Sequence, residues 1–151
     1  MQRENELATA VVDAAYKIHR TLGPGLLESA YEAIMIHELQ QRGFVVASQV
    51  SVPVVFDSVS LEVGFRADLI IEDLVIIELK SLEKIAPVHK KQLTTYLKLA
   101  DKRLGLLINF GEELIKNGIT RVVNGLPDEN LKTVFRAKTQ SSQREASKTV
   151  D

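Results

Sequence analysis

Residues 66–81 read RADLIIEDLVIIELKS. Two apolar runs, Leu69–Ile71 and Leu74–Ile77, flank the acidic pair Glu72-Asp73, which predicts two strands joined as a hairpin. Asp68, Glu78 and Lys80 fall at the outer ends of those strands. Charged side chains are costly to bury unless they are paired or bind an ion. The three are therefore strand-end solubilisers, a structural ion pair or a metal site.

Register decides whether they meet. Side chains alternate faces along a strand, so a slip of one residue moves every side chain to the other face. A two-residue loop, Glu72-Asp73, pairs Ile71 with Leu74 and sends Glu78 away from Asp68. A three-residue loop that includes Leu74 pairs Ile71 with Val75 and sets Asp68 opposite Glu78, with Lys80 on the same side and facing Arg66. Two facing carboxylates repel each other, and a divalent cation between them reverses the sign. Mg²⁺ suits one or two carboxylates completed by water and phosphate oxygens. The hairpin alone does not choose among the three readings.

Outward from the hairpin, residues 44–56 are rich in β-branched residues and predict a strand or a strand pair, with an edge or bulge at Pro53. Residues 57–60 read as a turn, leading into a strand over 61–71 and its hairpin partner over 74–81. Upstream, Leu7, Val11, Ala14, Ile18 and Leu22 mark one face of a helix over residues 6–22. GPG at 23–25 breaks it, and a second helix covers residues 26–42 before Gly43. Downstream, Pro87 opens a helix over residues 87–100. RLGLLINFG (103–111) reads as a buried strand, and 118–125 as a short final strand. The order α-α-β-β-β-α-β-β gives an α/β domain with a mixed sheet carrying helices. Residues 1–126 are expected to form one domain and 127–151 a C-terminal extension, its polar tail disordered from about Ala137.

Composition bounds the rest. The chain of 151 residues is 45% hydrophobic and 26% charged, as in an ordinary globular domain, and its net charge of −1 gives no global signal for nucleic acid. There is no cysteine, which excludes disulfides and thiolate metal sites. The N-terminal residues lack a signal-peptide pattern, and no apolar run reaches membrane-spanning length. The expectation is a soluble cytoplasmic protein.

Two helices carry further candidates. Gln92 and Tyr96, four apart, share a face of the helix that follows the Glu78/Lys80 strand, with His89 a turn earlier. As isolated residues they read as a surface glutamine, a core aromatic and a solvated first-turn histidine, and His89 is given no catalytic role. Glu28, in the first turn of the second helix, sits where any acid favours the helix dipole, and Tyr31 can hydrogen-bond or simply pack. From Lys80 to Arg103 there are seven basic and two acidic side chains. That is either a local phosphate-binding patch or one solvated helix face.

Together these residues resemble a known family. Asp68-x9-Glu78-x-Lys80 on a hairpin resembles the catalytic core of the PD-(D/E)xK nuclease superfamily, and Gln92-x3-Tyr96 resembles the extra motif of its RecB-like branch. GPGLLESAY, with Gly25, Glu28 and Tyr31, is similar to the signature of the small GxxExxY proteins, whose typical run also includes the RAD and ELK strands, VHKKQLTTYLKL and GLLINFG. The resemblance spans roughly residues 7–123, with Ala67 where the superfamily name has proline. It implies a restriction-endonuclease-like fold, a mixed β-sheet flanked by helices. It further implies a Mg²⁺- or Mn²⁺-dependent nuclease acting on nucleic acid, DNA being the expected substrate. Asp68 and Glu78 would be metal ligands, and Lys80 the catalytic lysine. Glu28 would assist the metal directly or through water, and Gln92 and Tyr96 would position substrate or water. Homo-oligomerisation is left open. The rival readings are a nucleic-acid-binding module that does not cleave, and a structural protein in which Lys80 bridges the two acids.

Overall fold

The computed structural model describes residues 1–125, and the expected disorder of the tail lies outside the described residues. Along the chain run helices α1 (Gln2–Leu22) and α2 (Glu28–Gln41), then strands β1 (Val46–Phe56), β2 (Val59–Ile71) and β3 (Val75–Lys80). Helix α3 (Pro87–Ala100) follows, then β4 (Leu104–Asn109), a single 3-10 turn (Ile115–Gly118) and β5 (Ile119–Val123). Only the 3-10 turn adds to the order expected from sequence. Among the described residues the strands form one sheet in the order β1-β2-β3-β4-β5. β2–β3 and β4–β5 are antiparallel, and β3–β4 is parallel across the α3 crossover. Pro53 falls on β1, at the edge of that order, where proline is tolerated. No helix among the described residues is long and apolar enough to cross a membrane.

Residues 1–50 and 67–124 form one compact unit, which carries all the candidate site residues. The stretch 51–66 belongs to a second unit. In it the chain turns at Asp57-Ser58, Val52 and Phe65 are buried, and Phe56, Val59, Leu61 and Val63 are exposed.

In the larger unit β3 and β4 are the central strands. Val75–Leu79 and every residue of β4 are buried, the pattern of a parallel pair covered on both faces. The two faces have different covers. Leu69, Ile71, Ile77 and Leu79 join a core cluster with Leu7, Val11 and Ile18 of α1 and with Tyr31, Met35 and Leu39 of α2. The predicted apolar stripe of α1 is this core face except at Leu22, which the helix end leaves 45% exposed. On the other face Gly105 packs on Leu93 of α3 so closely that a Cβ would lie 2.9 Å from the leucine side chain. Gly105 pairs with Ile76, and Leu107 with Glu78. By strand alternation Asp68, Glu78 and Lys80 therefore belong to the α3 side.

Candidate functional site

The site begins with a turn. Glu72 and Asp73 both adopt left-handed backbone conformations, with φ of 51° and 55°, and Leu74 N–H donates to the Ile71 carbonyl at 2.9 Å. Two successive positive φ values are the mark of a type I′ turn, whose twist matches that of a hairpin. Leu74 then adds one residue before pairing resumes as Ile71↔Val75, Ile70↔Ile76 and Leu69↔Ile77. The three-residue register is thus the one formed, and its next step sets Asp68 opposite Glu78. Lys102 steadies the turn by donating to the Asp73 carbonyl at 2.7 Å and pairing with its carboxylate at 3.0 Å.

At Asp68 and Glu78 the carboxylates take backbone donors. The Leu79 N–H donates to Asp68 Oδ2 at 2.9 Å, and the Asp68 N–H donates to Glu78 Oε1 at 3.3 Å. Glu78 is buried, at 7% exposure, and Asp68 is half-buried. Burial, and next the charge of Asp68, push the Glu78 carboxyl up to about 8; the Lys80 ammonium opposes this only weakly. At neutral pH the metal-free pair therefore holds a proton where two negative charges would otherwise face each other.

Lys80, two residues beyond Glu78 on the same side, is half-buried. Tyr96 of α3 is also half-buried, and its hydroxyl is raised above the ordinary tyrosine value by burial and then by the charges of Glu78 and Asp68. The tyrosine thus overlooks the carboxylates from the covering helix. Gln92, one turn earlier, is exposed. His89 has a structural use: its Nδ1 accepts the Ala86 N–H at 3.1 Å while its own N–H donates to the Ala86 carbonyl at 3.0 Å, closing the N-terminus of α3.

Glu28 stands apart from this group. It is exposed and is the first residue of α2, which begins two residues later than the sequence pattern places it. Gly25 at φ 110° and extended Leu27 delay the helix. Tyr31 holds the preceding loop. Its hydroxyl donates to the Gly23 carbonyl at 2.6 Å and accepts the Leu26 N–H at 3.2 Å, and its buried ring stacks on Phe110 with centroids 4.3 Å apart. Glu28 lines a surface cleft with Leu26, Ser81 and Leu82, at the end of β3. Among the described residues no three His, Cys, Asp or Glu side chains are gathered around one point. Two carboxylates, all oxygen donors, still fit a hard divalent cation, with water and phosphate oxygens completing its shell.

Three residues given no role in the sequence reading organise this end of β3. Ser81 Oγ donates to the Leu26 carbonyl at 2.6 Å. Asn109, fully buried, grips Leu82 through both amide atoms at 2.9 Å, and its Oδ1 also accepts the Gly111 N–H at 3.1 Å. At Gly111 an added Cβ would lie 2.0 Å from the Leu82 carbonyl oxygen, so only glycine allows this approach. One signal was present: a polar residue inside the apolar run LGLLINFG must find partners when buried.

The basic segment is not a single wall beside the carboxylates. Lys102 is engaged by Asp73. At 100° per residue, exposed Lys91 and Lys98 lie about 140° and 160° around α3 from Tyr96. They form a solvated face turned from the carboxylates.

No curated protein and no solved structure matches the chain. A family profile does, over residues 5–122, and it covers both strands of the hairpin, α3 and the Glu28 helix. With a mixed sheet that sets Asp68 against Glu78 and Lys80 two residues further on, the chain belongs to the PD-(D/E)XK nuclease superfamily.

Proposed function

We propose that the protein is a divalent-metal-dependent phosphodiesterase that cleaves nucleic acid, DNA in the first instance. The carrying observation is the Asp68–Glu78 pair, a buried and a half-buried carboxylate in direct apposition. This arrangement is unfavourable when both are ionised and becomes favourable with a cation between them. A Mg²⁺ or Mn²⁺ ion, when bound there, supplies Lewis-acid polarisation of the scissile phosphate and a more acidic water.

The chain's own residues do the rest. Asp68 and Glu78 would hold the cation. The Lys80 ammonium balances the negative charge that grows on the phosphate and orients the attacking water. Tyr96, its hydroxyl raised by burial and then by the two carboxylates, donates a hydrogen bond to water or to a phosphate oxygen. Gln92, exposed one turn away on the same helix, contacts the substrate. Glu28, exposed at the start of α2, would assist the cation through an intervening water. Assignment to the GxxExxY subgroup belongs to this reading; its support is Gly25 at φ 110° and Tyr31 bonded across the loop that precedes Glu28.

The test is a cleavage assay on single- and double-stranded DNA and RNA with Mg²⁺ or Mn²⁺, with Lys80→Ala and chelator as controls. Cleavage that requires metal and Lys80 supports the proposal. Salt-sensitive binding that survives chelator, without cleavage, points instead to a binding module on the same fold.

A further inference from the structure

The end of β3 is gripped from two sides. On one side Asn109 takes both backbone groups of Leu82, and the Phe110 N–H donates to the Lys80 carbonyl at 2.8 Å. This fixes the backbone immediately around Ser81. On the other side the Ser81 hydroxyl reaches the Leu26 carbonyl, two residues before Glu28. Tyr31 holds the same loop through the Leu26 N–H and the Gly23 carbonyl. Leu26 is thus bonded through both its N–H and its carbonyl, and the Ser81 bond is the one that reaches across to β3. Glu28 and Ser81 line one cleft.

We infer that Ser81 is a positioning residue: its hydroxyl fixes the start of α2 on the end of β3 and so sets the distance of Glu28 from the Asp68–Glu78 pair. The inference rests on the proposed metal-dependent reading. A carboxylate that acts through water tolerates little displacement, because the water must reach both partners at hydrogen-bond distance. Residues that orient a metal's surroundings cost about 10–100-fold in metal affinity when removed.

The experiment is a double-mutant cycle on the full chain with Ser81→Ala, Glu28→Gln and their combination, plus Ser81→Thr, which keeps a hydroxyl. Two quantities are read: the Mg²⁺ concentration that gives half the rise in Tm, and kcat/KM on DNA. Ser81→Ala is expected to raise that Mg²⁺ concentration about tenfold and to lower kcat/KM, while Ser81→Thr restores both. In the combined variant the loss should be no larger than in Glu28→Gln alone, since the hydroxyl then has no carboxylate to position. Losses that multiply, or a Ser81→Ala effect confined to metal-free Tm, overturn the inference and leave the proposed function standing. A wild-type protein that neither responds to Mg²⁺ nor cleaves overturns both.

Discussion

Asp68 and Glu78 each have a carboxylate oxygen on a backbone N–H at their facing position. Asp68 accepts from Leu79, and Glu78 accepts from Asp68 itself. The two acids thus have a structural duty, satisfying strand donors, and an electrostatic conflict, two charges in apposition. Substitutions separate the two. Asp68→Asn keeps an oxygen for the Leu79 N–H and removes the charge. Metal-free Tm should be equal to or above wild type, and the rise in Tm on adding Mg²⁺ should vanish. Asp68→Ala strands the Leu79 donor and should cost about 1–3 kcal/mol. Thermal melts with chelator and with Mg²⁺ check both. A clear loss of metal-free stability in Asp68→Asn favours a structural ion network.

The raised Glu78 carboxyl makes metal-free stability depend on pH. Unfolded, the group loses its proton near its ordinary value of 4.5; folded, it keeps it up to about 8. Between those values the folded state binds more protons, so stability falls as pH rises, by at most about 1.4 kcal/mol per pH unit from this group. The full contribution is present below 4.5 and gone above about 8. Denaturant titrations at pH 5, 6.5 and 8 should show this slope in wild type minus Glu78→Gln. With Mg²⁺ the trend reverses, because the cation competes with that proton and binds more tightly as pH rises. A flat difference curve would show that Glu78 ionises normally.

Lys80 lies two residues beyond Glu78 and opposes the rise in its carboxyl only weakly. Lys80→Ala should lower kcat by about 10²–10³-fold, the scale for loss of one charge-stabilising donor. The Mg²⁺-dependent rise in Tm should persist. Single-turnover cleavage and melts on the same samples check the pair of outcomes. Loss of the Mg²⁺ response together with cleavage would place Lys80 in the metal site's structure instead.

The element order was legible because the periodicity changes sharply at Gly43 and Pro87, and because helix stripes such as Leu7-Val11-Ala14-Ile18 are core stripes. The hairpin register was not. It depends on Leu74 falling in the turn, so that pairing resumes at Val75, and a leucine inside an apolar run does not announce a turn position. Tyr31 could be named from its motif but not given its bonds to Gly23 and Leu26, since those depend on the path of a loop. Asn109 and Ser81 act on partners 27 and 55 residues away in sequence, beyond the reach of local pattern. The seven basic residues left two readings open, a phosphate-binding patch or a solvated helix face, because sequence does not show that Asp73 engages Lys102, or that Lys91 and Lys98 turn from Tyr96.

Tyr31 offers the last test, because its motif partner Glu28 is assigned to the chemistry and Tyr31 is not. Its ring is fully buried against Phe110, and its hydroxyl bridges Gly23 and Leu26. Tyr31→Phe keeps the stack and removes both loop bonds. It should destabilise the protein by about 1–3 kcal/mol, since the Leu26 N–H loses its acceptor and the Gly23 carbonyl its donor. The Ser81 bond to Leu26 survives the change, so α2 keeps its tie to β3. Well below Tm, kcat should stay within about threefold of wild type, a loss under ~0.7 kcal/mol in the barrier. Thermal melts paired with initial rates of cleavage at 20–25 °C decide the matter. Unchanged stability with collapsed cleavage would assign the Tyr31 hydroxyl to the reaction instead of the loop.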